Sequence, residues 1–189
     1  ISKESGVPVW KMIYDNQLDL PEQLVPGQAL LLLKEGETGS AGEGLQTGGY
    51  TYPFIEPEIL MQAFPALGQL LVFSYGFTFE GELVPPRQDD LWLVEEAWKR
   101  GAEPVLVLTP FSGGAFNNQL VKVLTENDEI QEKVINQLFR TVEDNGYAGV
   151  QLDFEYILPE NKVKFSKFVA RVRKRMSQGG FHTSVALAP

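Results

Sequence analysis

The chain has 189 residues, 43% of them hydrophobic, which is enough for a packed core. Its 16 basic and 25 acidic residues give a net charge of −9, and it shows no basic face of the kind that binds nucleic acid. It has no cysteine and one histidine, which exclude thiolate chemistry and offer no metal site, and no cofactor is predicted. No apolar run approaches the roughly 18 residues of a membrane span.

The first predicted unit is 1–34. In "VPVWKMIYDN", Pro8 precedes apolar residues at helical spacing, which predicts a helix. The Pro-Gly turn of "LVPGQALLLL" then leads into a predicted strand at 29–33. Because the chain begins at Ile1 and not at methionine, we expect its native start to lie upstream.

The run "ISKESGVPVWKMIYDNQLDLPEQLVPGQALLLL" resembles the LysM domain, a small βααβ module that binds glycans containing N-acetylglucosamine. The resemblance covers the two helices and the last strand of that module, so 1–34 is expected to be a partial LysM unit. It implies glycan contacts in the loop after the second helix, around Asn16, Leu18 and Pro21. The alternative for each of these residues is a purely structural role in the turn, without a glycan contact.

Beyond a glycine-rich linker predicted at 35–48, apolar strands alternate with helices. The strands are predicted at 49–54, 69–77, 104–111, 148–156 and 181–189. The helices are predicted at 56–64, 89–100, 117–124 with 129–143, and 160–177. This alternation predicts a parallel sheet covered by helices, and it fits either a doubly wound sheet or part of a (β/α)8 barrel. No strand is followed by the G-x-G-x-x-G of a dinucleotide site.

The fourth strand, "GYAGVQLDFEYI", carries acids within an apolar run. Alternation along a strand places Gln151, Asp153 and Glu155 on one face. In a parallel barrel the carboxyl end of a strand opens into the active-site mouth. Two carboxyl groups that share a proton there raise the pKa of one of them, which can then act as a general acid. The alternative is a solvated pair of acids at a strand end.

The motif "GVQLDFE" resembles the D-G-x-D-x-D-x-E signature of glycoside hydrolase family eighteen, the chitinase family. The wider run "FSGGAFNN … GYAGVQLDFEYILPENKVKFSKFVARVRKRM … HTSVALAP" is similar to the spore cortex fragment-lytic N-acetylglucosaminidases, a branch that also carries LysM modules. The resemblance implies that 49–189 is the first five βα units of a (β/α)8 TIM barrel, an α/β fold. A complete barrel has about 250 residues, so the chain is expected to be a piece cut at both ends.

The resemblance also implies the role of each residue in the motif. Glu155 would be the general acid and base, and Asp153 would orient the substrate's 2-acetamido group, whose oxygen acts as the nucleophile. Gln151 stands where chitinases have an aspartate and would support Asp153 by a hydrogen bond. The implied function is cleavage of N-acetylglucosaminyl bonds in peptidoglycan of the spore cortex, with chitin as the other substrate. A non-catalytic glycan-binding protein and a sugar-phosphate enzyme remain alternatives.

Aromatic residues near the predicted strand ends could stack on sugar rings or pack in the core; they are Tyr52, Tyr75, Phe111 and Tyr156. His182 lies at the end of the fifth strand that is remote from the mouth, and no catalytic role is predicted for it. A glycan is the expected partner, and the spore, the cell envelope or the cell exterior is the expected location.

Overall fold

The computed structural model describes residues 1–16, 18, 24, 30–32, 47–112, 115–155 and 157–186. Two compact units are present, Ile1–Leu45 and Gln46–Pro189. The division lies within the predicted linker, nearly all of which is outside the described residues, so the predicted domain boundaries stay predictions. The predicted site residues Pro21 and Tyr156 also lie outside them.

The first unit contains two short helices, α1 (Ser2–Ser5) and α2 (Val9–Asp15). Helix α2 begins directly after Pro8, as predicted, but of its apolar residues only Met12 is buried. Of the strand predicted at 29–33, the described part (30–32) is not in a strand. Both backbone polar groups of Leu31 are bonded to the Asn16 side chain and are not free to pair with a strand.

Five parallel strands form the sheet of the second unit, and their order across the sheet is the same as their order along the chain. Gln69 lies opposite Glu103, Val105 opposite Gly149, and Gly149 opposite His182. This arrangement confirms the predicted parallel sheet. The strands, in order, are β1 (Gly48–Thr51), β2 (Gln69–Phe77), β4 (Glu103–Leu108), β7 (Gly149–Leu152) and β8 (His182–Val185).

Helices connect these strands, at positions close to those predicted. Asn117 and Asn127 cap two of them, accepting backbone hydrogen bonds from Gln119 and from Glu129 and Ile130 respectively. No helix among the described residues is long and apolar enough to cross a membrane. The helices are α3 (Pro57–Ala63), α4 (Leu91–Lys99), α5 (Asn118–Glu126), α6 (Asp128–Asn145) and α7 (Lys162–Gln178), with 3-10 turns at Phe64–Ala66 and Pro159–Asn161.

The sheet has a different apolar cluster on each face. The larger cluster contains the side chains directed at the helices, such as Leu70, Leu106 and Val150. The smaller one consists of the alternate residues Leu71, Val105 and Val107, with Phe73 packed on them. Because buried strands of a barrel carry apolar residues on both faces, this second cluster corresponds to a barrel interior.

Two antiparallel insertions that the sequence did not predict follow the carboxyl ends of β2 and β4. Strand β3 (Leu83–Val84) pairs back onto β2, and β5 (Phe111–Ser112) forms a hairpin with β6 (Ala115–Phe116). The hairpin lies close to β2 because position 76 is glycine. A Cβ atom on Gly76 would be 3.3 Å from the carbonyl oxygen of Phe111.

Candidate active site

The two predicted catalytic acids directly follow β7. The strand was predicted to extend to 156, but it ends at Leu152, and the amide of Asp153 donates the last bond to the Leu108 carbonyl at 2.9 Å. The neighbouring strand β4 cannot continue the ladder, since Pro110 has no amide hydrogen to donate. The prediction was therefore wrong in length, and the acids lie in the segment that leaves the sheet.

Phe154, the residue between the two acids, anchors this segment. It is 4% exposed, and its ring contacts those of Phe77, Phe165 and Phe168 at centroid distances of 6.1, 5.1 and 6.1 Å. These rings belong to the core on the helix side of the sheet. Its neighbours in the chain, Asp153 and Glu155, are thereby directed away from that core.

Asp153 is 6% exposed. Burial raises the pKa of its carboxyl group, and the negative charge of Glu155 raises it further. Asp153 therefore holds a proton to a higher pH than an ordinary aspartate. In the protonated state it can donate a hydrogen bond as well as accept one.

Tyr50, on β1, belongs to the same site, although the sequence analysis missed it. Its hydroxyl group donates a hydrogen bond to Oε1 of Gln151. The pKa of Tyr50 is raised by partial burial and then by the charges of Asp153 and Glu155, so its phenol is near both acids. The available signal was the alternation in "GYTYPF", which places Tyr50 on the same strand face as Tyr52. Among the hydrogen bonds of the described residues, none joins Gln151 to Asp153.

An aromatic cleft of about 560 Å³ lies at the carboxyl ends of β1, β2 and β4. The rings of Tyr52 and Phe54 are stacked at 4.9 Å, and Phe73 meets Tyr52 edge-on at 5.3 Å. Phe73 also contacts the Tyr50 ring at 6.3 Å, which links the cleft to the two acids. Its aromatic walls are formed by Tyr52, Phe54, Phe73, Phe111 and Phe116.

The predicted sugar-stacking aromatics have different positions. Tyr52 and Phe111 line the cleft. Tyr75 does not, because the β2 register shifts between Val72 and Tyr75 and turns this ring to the helix side. It is 3% exposed, and its hydroxyl donates to Asp90 at 2.9 Å. This position favours core packing, the alternative given for Tyr75, and a sugar contact by this ring stays a prediction.

Asp90 also accepts a hydrogen bond from the Tyr147 hydroxyl group. Burial raises the pKa of both Tyr75 and Tyr147. This buried cluster joins the start of α4 to the end of β2 and to the approach to β7. We assign it a structural role, because all three side chains are buried.

His182 lies at the amino end of β8, away from the two acids, as predicted. Its Nε2 atom is 3.6 Å from Oε2 of Glu103, too far for a hydrogen bond, and that oxygen accepts a hydrogen bond from the Gln69 amide at 3.1 Å. The neighbouring strand residue is Gly149, where an added Cβ would lie 2.7 Å from the imidazole. Glycine is therefore required beside this histidine.

In the first unit, the Asn16 amide is bonded to the backbone. It donates to the carbonyls of Met12 and Leu31 at 2.8 and 2.9 Å and accepts from the Leu31 amide at 2.6 Å. A glycan contact at Asn16 would have to replace these bonds, so its position favours a structural role. Leu18 lines an apolar cavity of about 630 Å³, together with Met12, Ile13 and Leu30. The LysM resemblance stays a prediction.

Across the described ranges, no group of three His, Cys, Asp or Glu side chains is arranged to hold a metal ion. The groups that the site presents are the carboxyls of Asp153 and Glu155, the Gln151 amide and the Tyr50 phenol.

No family model matches the chain. Among curated proteins it is similar to the cortical fragment-lytic enzyme of Bacillus anthracis, with 29% identity over 136 residues, or 70% of this chain and 31% of that protein. It is also similar to the cortical fragment-lytic enzyme of Bacillus subtilis (strain 168), with 25% identity over 128 residues, or 68% of this chain and 29% of that protein. The chain thus spans about three-tenths of the length of these relatives.

Among solved structures, the chain is similar to the spore cortex-lytic enzyme SleL of Bacillus cereus, with a TM-score of 0.72 and 26% identity. The match covers 100% of this chain and 43% of that one. A class V chitinase of Pseudomonas fluorescens Pf-5 matches with a TM-score of 0.70 and 19% identity, over 75% of this chain and 44% of that one. These similarities confirm the predicted resemblance and the fold, part of a (β/α)8 barrel.

Proposed function

We propose that this chain carries the catalytic acids of a glycosidase that cleaves N-acetylglucosaminyl bonds in peptidoglycan. The observation that carries the proposal is the position of Asp153 and Glu155 together, after a barrel strand and beside an aromatic cleft. The names of the relatives, which are cortex-lytic, favour the spore cortex as the substrate and the spore or cell envelope as the location.

In the proposed mechanism the nucleophile belongs to the substrate. Glu155 protonates the glycosidic oxygen as the bond to the anomeric carbon breaks, and the oxygen of the 2-acetamido group attacks that carbon. Water then opens the resulting oxazolinium ring and returns a proton to Glu155, which leaves the anomeric configuration retained. The acetamido oxygen attacks from the face opposite the leaving group, and water attacks from the face that the leaving group occupied. These two inversions give retention, as in two-carboxylate retaining enzymes, although no enzyme carboxylate becomes covalently attached.

Asp153 orients the acetamido group. Burial and then the charge of Glu155 raise the pKa of its carboxyl group, so ionisation of this group costs more than for an ordinary aspartate. As positive charge develops on the oxazolinium ring, the ionised form of Asp153 becomes more favourable and stabilises the transition state more than the substrate. The Tyr50–Gln151 hydrogen bond holds the Gln151 side chain at the end of the strand that leads to Asp153.

The first test is Glu155→Gln in the full-length gene product, assayed on purified cortex peptidoglycan. We expect turnover to fall by about 10²- to 10⁴-fold while glycan binding is retained, because the proton donor is lost and the shape is kept. Glu160→Gln is the matched control, since Glu160 is an exposed acid in the 3-10 turn that follows. Near-normal turnover in Glu155→Gln would refute the assignment.

The second test removes the nucleophile. Substrate that lacks the acetyl group on the sugar before the scissile bond should not be cleaved, and a thiazoline analogue of N-acetylglucosamine should inhibit. If de-N-acetylated glycan were cleaved at the same rate, the role proposed for Asp153 would be wrong. Parallel assays on chitin oligomers compare the two candidate substrates directly.

A further inference from the structure

One side chain of the aromatic cleft carries a full charge. Arg87 lines the cleft together with the rings of Tyr52, Phe73 and Phe111. The cleft is also lined by the polar side chains of Ser74 and Gln88, which are neutral. Arg87 follows Pro85 and Pro86 in the segment between β3 and α4. Because proline fixes its own φ angle and restricts the residue before it, the chain approaching Arg87 has few conformations.

The charge of Arg87 is not neutralised by the residues that the structure describes. None of the ion pairs within 4.0 Å among them involves Arg87. The two nearest acids in sequence have other partners: Asp89 accepts a bond from the Leu91 amide at 3.1 Å, and Asp90 accepts from two buried tyrosines. By contrast, Arg171 is paired with two carboxylates, at 2.6 and 3.0 Å.

An arginine among aromatic rings suits a ligand that combines flat sugar faces with an anionic group. A guanidinium group binds a carboxylate with two parallel hydrogen bonds. Since the whole chain has a net charge of −9, an anionic glycan would be repelled on average, and a local cation is needed to hold it. A polymer of N-acetylglucosamine alone has no group that would use this charge.

We propose that Arg87 is a specificity residue that binds a carboxylate on the substituent at C3 of a muramic acid residue. This inference rests on the proposed function, and it identifies the part of peptidoglycan that the cleft selects over neutral chitin. The carboxylate can belong to the lactyl group itself or to the peptide attached to it. Both sources present the same chemistry to Arg87.

The experiment measures binding rather than turnover, so it does not depend on hydrolysis. The full-length gene product carrying Glu155→Gln is titrated calorimetrically with a tetrasaccharide of alternating N-acetylglucosamine and N-acetylmuramic acid, as the free acid and as its methyl ester. We expect the free acid to bind about tenfold more tightly, as for one charge-assisted interaction. In the Glu155→Gln protein, a second substitution, Arg87→Gln, should remove the preference for the free acid. Arg87→Lys in the same protein should retain part of it.

Arg173→Gln is the matched control, because Arg173 is exposed on α7 and the substitution changes the net charge equally. It should leave the preference intact. A third ligand carries a stem peptide on the lactyl group, as the acid and with its peptide carboxylates esterified; a preference in this pair identifies the peptide as the source.

Equal affinity for acid and ester in the Glu155→Gln protein, including no measurable affinity for either, overturns the proposal. A preference that survives Arg87→Gln overturns it as well. Hydrolysis of the tetrasaccharide by the unsubstituted protein is measured separately. If hydrolysis is absent while the preference is present, the proposed function fails and the role of Arg87 stands.

Discussion

Replacing Asp153 by asparagine should make the protein more stable at neutral pH while abolishing turnover. The aspartate is 6% exposed, and burial and the charge of Glu155 raise its pKa. Asparagine has nearly the same shape and no charge, and the backbone bond from position 153 to Leu108 is unaffected. The substitution therefore removes the cost of an ionised buried group without creating a cavity.

The size of this gain depends on pH in a defined direction. Well below pH 4, about the pKa of an unfolded aspartate, the carboxyl group is protonated in both the folded and the unfolded states, so its charge costs nothing. As the pH rises above that value, Asp153 loses its proton first in the unfolded state. The free energy of unfolding of the wild type then falls by about 1.4 kcal/mol per pH unit, until the pH passes the pKa of Asp153 in the folded state. Asp153→Asn avoids this loss, and we expect a gain of about 0.5–2 kcal/mol at pH 7.

Urea denaturation at pH 3 and pH 7, followed by tryptophan fluorescence, measures the effect in the full-length gene product. The matched control is Asp144→Asn, which changes the same charge at an exposed position near the end of α6. The reasoning is refuted if Asp153→Asn is less stable than the wild type at pH 7, or if its gain at pH 3 equals that at pH 7.

Two further predictions concern the residues that hold the acids. Phe154→Ala should destabilise the protein by about 3–5 kcal/mol, as expected for a large buried ring, and should reduce turnover because the acids lose their anchor. Phe79→Ala, at a ring that is 43% exposed, should cost less than about 0.5 kcal/mol, and a similar cost for both variants in urea denaturation would contradict the packing described. Tyr50→Phe keeps the ring but removes the bond to Gln151, so kcat/KM should fall by about two- to tenfold with little change in Tm. An unchanged kcat/KM would mean that Tyr50 does not contribute to the site.

The order and type of the large elements were predictable from the sequence. Apolar strands and amphipathic helices alternate, and the residues that face the helices, such as Leu106 and Val150, are apolar as that arrangement requires. Alternation alone did not distinguish a doubly wound sheet from a barrel. The motif around Asp153 and Glu155 made that choice, and the similarity to solved structures confirmed it. The catalytic roles of these two residues remain proposals.

What the sequence did not predict depends on partners that are distant in the chain. The end of β7 is determined by its neighbour β4, where Pro110 cannot donate a hydrogen bond, and not by any residue of β7. Tyr75 is turned to the helix side by a register shift within β2, which simple alternation cannot anticipate. Tyr50 was missed because its partner, Gln151, is 101 positions away.

The absence of a side chain at Gly76 affects the width of the aromatic cleft. The hairpin that carries Phe111 lies against β2 only because no side chain stands between them, with 3.3 Å between the place of a Cβ atom and the Phe111 carbonyl. An alanine at 76 would press on that carbonyl, and a larger side chain would lift the hairpin away from the sheet. The residue at position 76 therefore affects the width of the cleft, although it contributes no atom to the lining. We expect a larger residue at this position to change the shape of the cleft while every aromatic ring stays in the chain.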